Sequence, residues 1–168
     1  MPSITEGALT FQFPDDWLIA KFDAWSFYRN QFQQVCGGAK AIDMFAIASN
    51  HCVWAIEIKD YRGHRRAKTI ELTDEVACKV RDSLAALVAA RVNANDEGEK
   101  QMSSAALACN RIRVVLHLEQ PTKRSKLFPR AIDPAQVTQK LKQLLKAIDP
   151  NPKVVEIGRL GGVSWSVT

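Results

Sequence analysis

Two apolar runs joined by a short turn constrain this chain more than any other feature. Residues 39–48 contain Ile42, Met44, Phe45 and Ile47, and after Ser49-Asn50 the stretch 52–58 reads CVWAIEI. β-Branched and aromatic residues bounded by turn formers predict the two strands of a hairpin. A strand with one wet face alternates apolar and polar residues. These runs do not, so they are expected to be covered on both faces and to lie centrally in a mixed sheet. Three charges interrupt the apolarity: Asp43 in the first strand, and Glu57 and Lys59 at the end of the second. Burying an unpaired charge is expensive, so each of them requires a partner, a bound ion or a solvent-facing strand end.

The flanking sequence supplies helices. Leu18, Phe22, Trp25, Tyr28, Phe32 and Val35 recur at steps of three and four, which predicts a long amphipathic helix over 15–35 between Pro14 and Cys36-Gly37-Gly38. A second helix is predicted over 73–93, with Thr73 as a cap, Asp74 and Glu75 at its positive start, and a face of Val76, Val80, Leu84, Leu87, Val88 and Val92. A weaker one follows at 99–108. The run RIRVVLHL at 111–118 is a strand stopped by Pro121, and Asp133-Pro134-Ala135-Gln136 is a capping box opening a helix that continues through Leu141, Leu144, Leu145 and Ile148. Strands at 153–157 and 163–167, joined through Gly161-Gly162, complete the chain, with an edge strand at 69–72. The expected architecture is α/β, one domain over 1–168, its mixed central sheet flanked by helices on both faces.

Composition narrows the function classes. With 168 residues, 46% of them hydrophobic, the chain can bury a core without staples. No apolar run approaches the roughly 20 residues of a membrane span, and the N-terminus lacks the pattern of a secretory leader, so a cytoplasmic protein is expected. Cysteines at 36, 52, 78 and 109 form no C-x-x-C pair, and neither His51 nor His117 sits in a zinc-ligand spacing. His117 is expected in the core or on a sheet face. The 23 Lys and Arg against 18 Asp and Glu give a net charge of +5, compatible with a polyanionic partner.

Chemistry concentrates around the three hairpin charges. Glu57 and Lys59, two apart on a strand, share a face, while Ile58 points into the core. If the strands diverge near Asp43, the carboxylates of Asp43 and Glu57 and the Ile58 carbonyl make an oxygen-rich site suited to Mg2+ or Mn2+. Lys59 beside such an ion would position an attacking water or offset charge. The alternative is that Glu57 and Lys59 form an ordinary exposed pair. Asp43, thirteen intervening residues and then Glu57-Ile58-Lys59, in the context WAIEIKDYRG, resemble the signature of the PD-(D/E)xK nuclease superfamily, with Ile42 where the proline of the name would stand. The resemblance implies a restriction-endonuclease-like core over about 15–119 with a C-terminal elaboration over about 133–168. It also implies a metal-dependent nucleic acid phosphodiester hydrolase, acting on DNA, with Asp43, Glu57 and Lys59 catalytic and Asp43, Glu57 and Ile58 on the metal. Asp16 and Asp23 are the candidates for the further acidic ligand that many members draw from the first helix.

Directly after Lys59 the chain is basic. Arg62, Arg65, Arg66 and Lys68 are expected to hold a nucleic-acid backbone, with Tyr61 near enough to stack on a base. A second basic run, TKRSK at 122–126 continuing to Arg130, could follow the same groove. The rival expectation is a non-catalytic nucleic-acid-binding or assembly module that keeps the fold, acting as a homodimer or beside a partner subunit.

Overall fold

The computed structural model describes residues 1–122 and 131–168, so most of the second basic run lies outside the described residues. The chain is mixed α/β, built on two sheets. Strands β1 (Ser3–Glu6) and β2 (Leu9–Gln12) form a hairpin at the N-terminus, followed by β3 (Leu18–Lys21), β4 (Met44–Ala48) and β5 (Cys52–Asp60). Helices α1 (Leu72–Asn93) and α2 (Glu97–Leu107) lead to β6 (Arg111–Glu119), and α3 (Pro134–Leu144) leads to β7 (Lys153–Val155) and β8 (Ser166–Val167). The larger sheet has the order β3-β4-β5-β6-β7, antiparallel from β3 to β5 and parallel from β5 to β7. The smaller has the order β1-β2-β8.

The doubly apolar hairpin is central, as its composition requires. All five residues of β4 are buried, and β5 is buried from Val53 to Ile58 except at Trp54. Alternation along the strands sends Phe45, Ile47, Val53, Ala55, Val114, Leu116 and Leu118 to one face, where they pack with Val76, Val80, Leu87, Ala106 and Leu141 of the helices. Met44, Ala46, Ile56, Ile58 and Val115 point the other way, onto Leu9, Phe11, Phe13, Trp165 and Val167 of the smaller sheet. Helices on both faces were expected; instead all three pack on one face and the smaller sheet covers the other.

The stretch 15–35 is not one helix. It begins as β3, paired with β4, then makes short turns of 3₁₀ helix at Phe22–Ala24 and Val35–Gly37 around a π turn at Tyr28–Phe32. Its aromatic residues are poor helix formers, and the open edge of β4 offers hydrogen bonds that a lone amphipathic helix would leave unused. Glu99 of α2 anchors the segment by accepting from the Ser26 and Phe27 amides at 2.6 and 3.0 Å. On α1, Val88 and Val92 are exposed, and the buried stripe runs instead through Leu72, Val76, Val80, Ser83, Ala86, Leu87 and Ala90. Residues 69–72 form no strand: Leu72 already opens α1 with Glu71 at the N-cap position, so Thr73, expected as the cap, lies buried inside the helix and caps nothing.

Candidate functional site

Asp43 stands one residue before β4, and the pairing of Met44 with Ile56 sets it across from Glu57. Its backbone carbonyl accepts from the Phe22 amide at 2.9 Å, and one of its carboxylate oxygens accepts from the Ile58 amide at 2.5 Å. N–H and C=O of one strand residue point to the same edge, so the Ile58 carbonyl also faces the edge where β4 has ended. Helix α1 ties down the approach to this point: Ser83 Oγ accepts from the Ile42 amide and Asp82 from the Lys40 amide, at 2.9 and 3.0 Å.

Glu57 is fully buried and pairs with two ammonium groups, Lys59 and Lys79, each at 2.6 Å. Lys79 also lies 4.0 Å from Asp43. From Lys59 the network continues at 3.4 Å to Glu75, another fully buried carboxylate, which is held in turn by Arg66 at 2.8 Å and by Lys68. Asp43, Glu57 and Lys59, singled out in the sequence, are therefore brought together, but in a continuous ion-pair network with Glu75 and Lys79. These last two were missed as site residues, and Glu75 was read only as a helix-start acid. A signal existed. Glu75 and Lys79 are spaced by one helical turn and adjoin Val76 and Val80, so the apolar stripe carries them toward the sheet.

The carboxylates titrate differently. Burial, reinforced by the neighbouring Glu57 charge, pushes Asp43 up to about 7 against the pull of Lys79 and the Ile58 amide. Burial also opposes ionisation of Glu75, but hydrogen bonds from Lys68 and Arg66 and the charge of Lys59 overcome it and bring Glu75 down to about 2. For Lys59, burial favours the neutral amine, yet the charge and hydrogen bond of Glu57 outweigh it and raise the pKa. Asp23 is raised, by burial first and then by Glu6.

One side of the network opens into a cleft of about 630 Å3, lined by Asp23, Tyr28, Arg29, Lys40, Asp43, Lys68, Glu75 and Lys79 among others. Asp23 thus reaches the cleft, whereas Asp16 is not among its lining residues. The lining carries both signs of charge, which suits a polar ligand that must be oriented. Among the described residues, no group of three or more His, Cys, Asp or Glu is arranged to hold a metal ion. Glu57 Oε2 is buried without a hydrogen-bond partner among those residues.

The expected phosphate-gripping residues divide. Arg62 is committed to Asp60 through two side-chain hydrogen bonds of 2.9 and 2.6 Å. Arg66 donates to Tyr61 Oη at 3.1 Å and to the Ile70 carbonyl at 2.5 Å besides pairing with Glu75, and Lys68 joins the same carboxylate. Arg65 is exposed at the rim of a smaller pocket. Arg62, Arg66 and Lys68 thus organise the segment after β5 before they meet any ligand.

On the far face of the sheet, His117 is fully buried, edge-on to Phe11 with ring centroids 5.1 Å apart. Its Nε2 lies 2.9 Å from Glu119 Oε1, which also accepts from the Ile157 amide at 2.6 Å. Burial lowers the His117 pKa, although the Glu119 charge opposes this.

No family model and no solved structure matches the chain. A curated protein does: the cysteine--tRNA ligase of Neisseria meningitidis (serogroup A / serotype 4A, strain DSM 15465 / Z2491) is 33% identical over a 210-residue alignment that takes in 100% of this chain. The chain spans 30% of the length of that relative. This similarity overturns the PD-(D/E)xK nuclease resemblance and the phosphodiester hydrolase drawn from it. A short acidic and E-x-K spacing is weak because Glu and Lys two apart occur on many strands; here it coincides with a buried ion-pair network. No helix among the described residues is long and apolar enough to cross a membrane.

Proposed function

We propose that this chain is a nucleic-acid-binding module with tRNA as its partner, serving an aminoacyl-tRNA synthetase-related role and binding rather than cutting the strand. The observation that carries this reading is the end-to-end match to a cysteine--tRNA ligase. Because the match takes in only 30% of that relative, the proposal is confined to binding and does not extend to ligation. The net charge of +5 and the cations Arg29 and Lys40 along the cleft support a phosphate-rich partner. The five-stranded sheet, with its antiparallel and parallel halves, is taken as a restriction-endonuclease-like scaffold without the hydrolysis, and a cytoplasmic setting fits such a partner.

Fluorescence anisotropy with labelled tRNA and with duplex DNA tests the assignment. Binding of tRNA should be tighter than binding of the duplex and should weaken steeply between about 50 and 200 mM salt, because each neutralised phosphate releases counterions. Absence of binding at low salt rejects the reading. Equal affinity for the duplex removes tRNA as the preferred partner.

A divalent ion belongs to the same proposal. Asp43, Glu57 and the Ile58 carbonyl would hold Mg2+ or Mn2+, an all-oxygen donor set of the kind these ions take. The fit is supported by the unpartnered Glu57 Oε2 and by an Asp43 carboxyl poised near 7, and it requires Lys79 to move aside. Such an ion would supply a positive centre for a phosphate oxygen. Calorimetry with MgCl2 or MnCl2 should register binding, and the Asp43 titration should move below 7 when the ion is present. No heat at millimolar metal together with an unchanged titration removes the ion and leaves Lys59 and Lys79 as the countercharges.

A further inference from the structure

A pocket separate from the charged cleft opens beside the basic segment. It encloses about 240 Å3 between Tyr61, His64, Arg65, Arg66, Gln120 and Ile132. That is below the about 300–1,000 Å3 typical of pockets for drug-sized ligands, and leaves room for about one ring system. Two of its walls are aromatic. The rings of Tyr61 and His64 meet at 78° with centroids 5.7 Å apart, forming a corner in which a flat heterocycle parallel to one ring presents its edge to the other.

The corner is held in place before any ligand arrives. The Tyr61 amide donates to the Glu119 carbonyl at 2.8 Å, and its phenol accepts from Arg66, which is itself fixed by the Ile70 carbonyl and Glu75. Gln120, only 2% exposed, has its amide orientation settled by the chain: Nε2 donates to the Ile132 carbonyl at 2.9 Å and Oε1 accepts from the Ile132 amide at 3.0 Å. A primary amide carries two N–H donors and two acceptor lone pairs, so each end of Gln120 keeps capacity for a second partner. A planar group with edge donors and acceptors matches these walls.

We propose that this pocket accepts one unstacked nucleobase of a bound RNA strand, packed in the Tyr61–His64 corner with its edge against Gln120. The inference rests on the nucleic-acid reading above and adds to it a base-recognising subsite distinct from the phosphate-facing cleft. Stacking on aromatic side chains tolerates any base, while the amide edge favours bases that offer both a donor and an acceptor there.

The test is anisotropy with a labelled single-stranded oligoribonucleotide and with the same backbone carrying abasic residues, on the full chain. The wild-type protein should prefer the base-bearing strand by about 5- to 100-fold. His64→Ala, at an exposed position, and Tyr61→Leu should each erase most of that preference while binding of the abasic strand is retained; Tyr61→Phe, which keeps the ring, should preserve it. Should Tyr61→Leu fail to fold by circular dichroism, His64→Ala decides. Equal affinity for both strands, or a preference untouched by His64→Ala, overturns the pocket and leaves nucleic-acid binding standing. Failure of the wild-type chain to bind either strand or tRNA at low salt rejects the parent reading and the pocket with it.

Discussion

The two faces of the five-stranded sheet bury charge in opposite ways. On the helical face, Glu57 and Glu75 are fully buried but belong to a chain of ion pairs that reaches Asp43 and Lys79 at the wall of an open cleft. On the other face, His117 is fully buried against Phe11 and pairs with Glu119, which also accepts from the Ile157 amide, in a compact dyad. The difference is one of how many charged partners share the burial. A network with one open end can exchange a cation or accept an anion. The dyad also borders open space, since Glu119 lines a separate cleft of about 590 Å3, but it joins only two side chains, so its main consequence is for stability.

The largest expected effect breaks the network at its centre. Glu57→Ala leaves Lys59 and Lys79 without their nearest countercharge and should lower stability by about 3–5 kcal/mol, read from urea denaturation at neutral pH. The matching change on the other face, Glu119→Ala, deprives His117 and the Ile157 amide of one shared acceptor and should cost about 1–3 kcal/mol. A greater loss at Glu119 than at Glu57 would reverse the ranking of the two faces.

Next comes pH. The Asp43 pKa is raised from 3.8 to about 7 in the fold, so its contribution is fully present below 3.8 and lost as pH rises through about 7. Asp43→Asn, which stays neutral and can still accept from Ile58, should therefore gain on the wild type between pH 4 and 8, by up to about 4 kcal/mol. A constant difference between the two proteins over that range would show that Asp43 titrates normally. The smallest effect belongs to the dyad. The His117 pKa is depressed below 6.5, so its contribution is present above 6.5 and lost as pH falls through the folded-state value. His117→Phe should flatten that acid-side decline in a series of thermal melts, and an unchanged slope would assign the decline to other groups.

The contrast between faces also marks where sequence reasoning succeeded. The hairpin of β4 and β5, helix α1, the capped start of α3 and strand β6 were all legible, because their apolar period, caps and turn residues lie within a few positions of one another. Asp43, Glu57 and Lys59 were legible as a cluster for the same local reason: charges are conspicuous in apolar strands. The stretch 15–35 was misread because Phe22, Trp25, Tyr28 and Phe32 satisfy a helical period while the hydrogen-bonding edge that claims 18–21 lies more than twenty residues away, in β4. The chemistry was misassigned on three residues whose spacing is shared by many strands, and only comparison over the whole chain corrected it.

Local patterning dictated which segments are doubly buried, where α3 begins, and that charge would meet at the end of β5. Tertiary packing settled which charges meet: Lys79 and Glu75 come from a helix that the sheet face orders, and Tyr61, His64 and Gln120 converge only because Tyr61 is bonded across to Glu119. The physical reason is range. Periodicity, capping and turn preference act over a few residues and can be read along the chain, whereas desolvation and ion pairing depend on which distant segments share one buried volume.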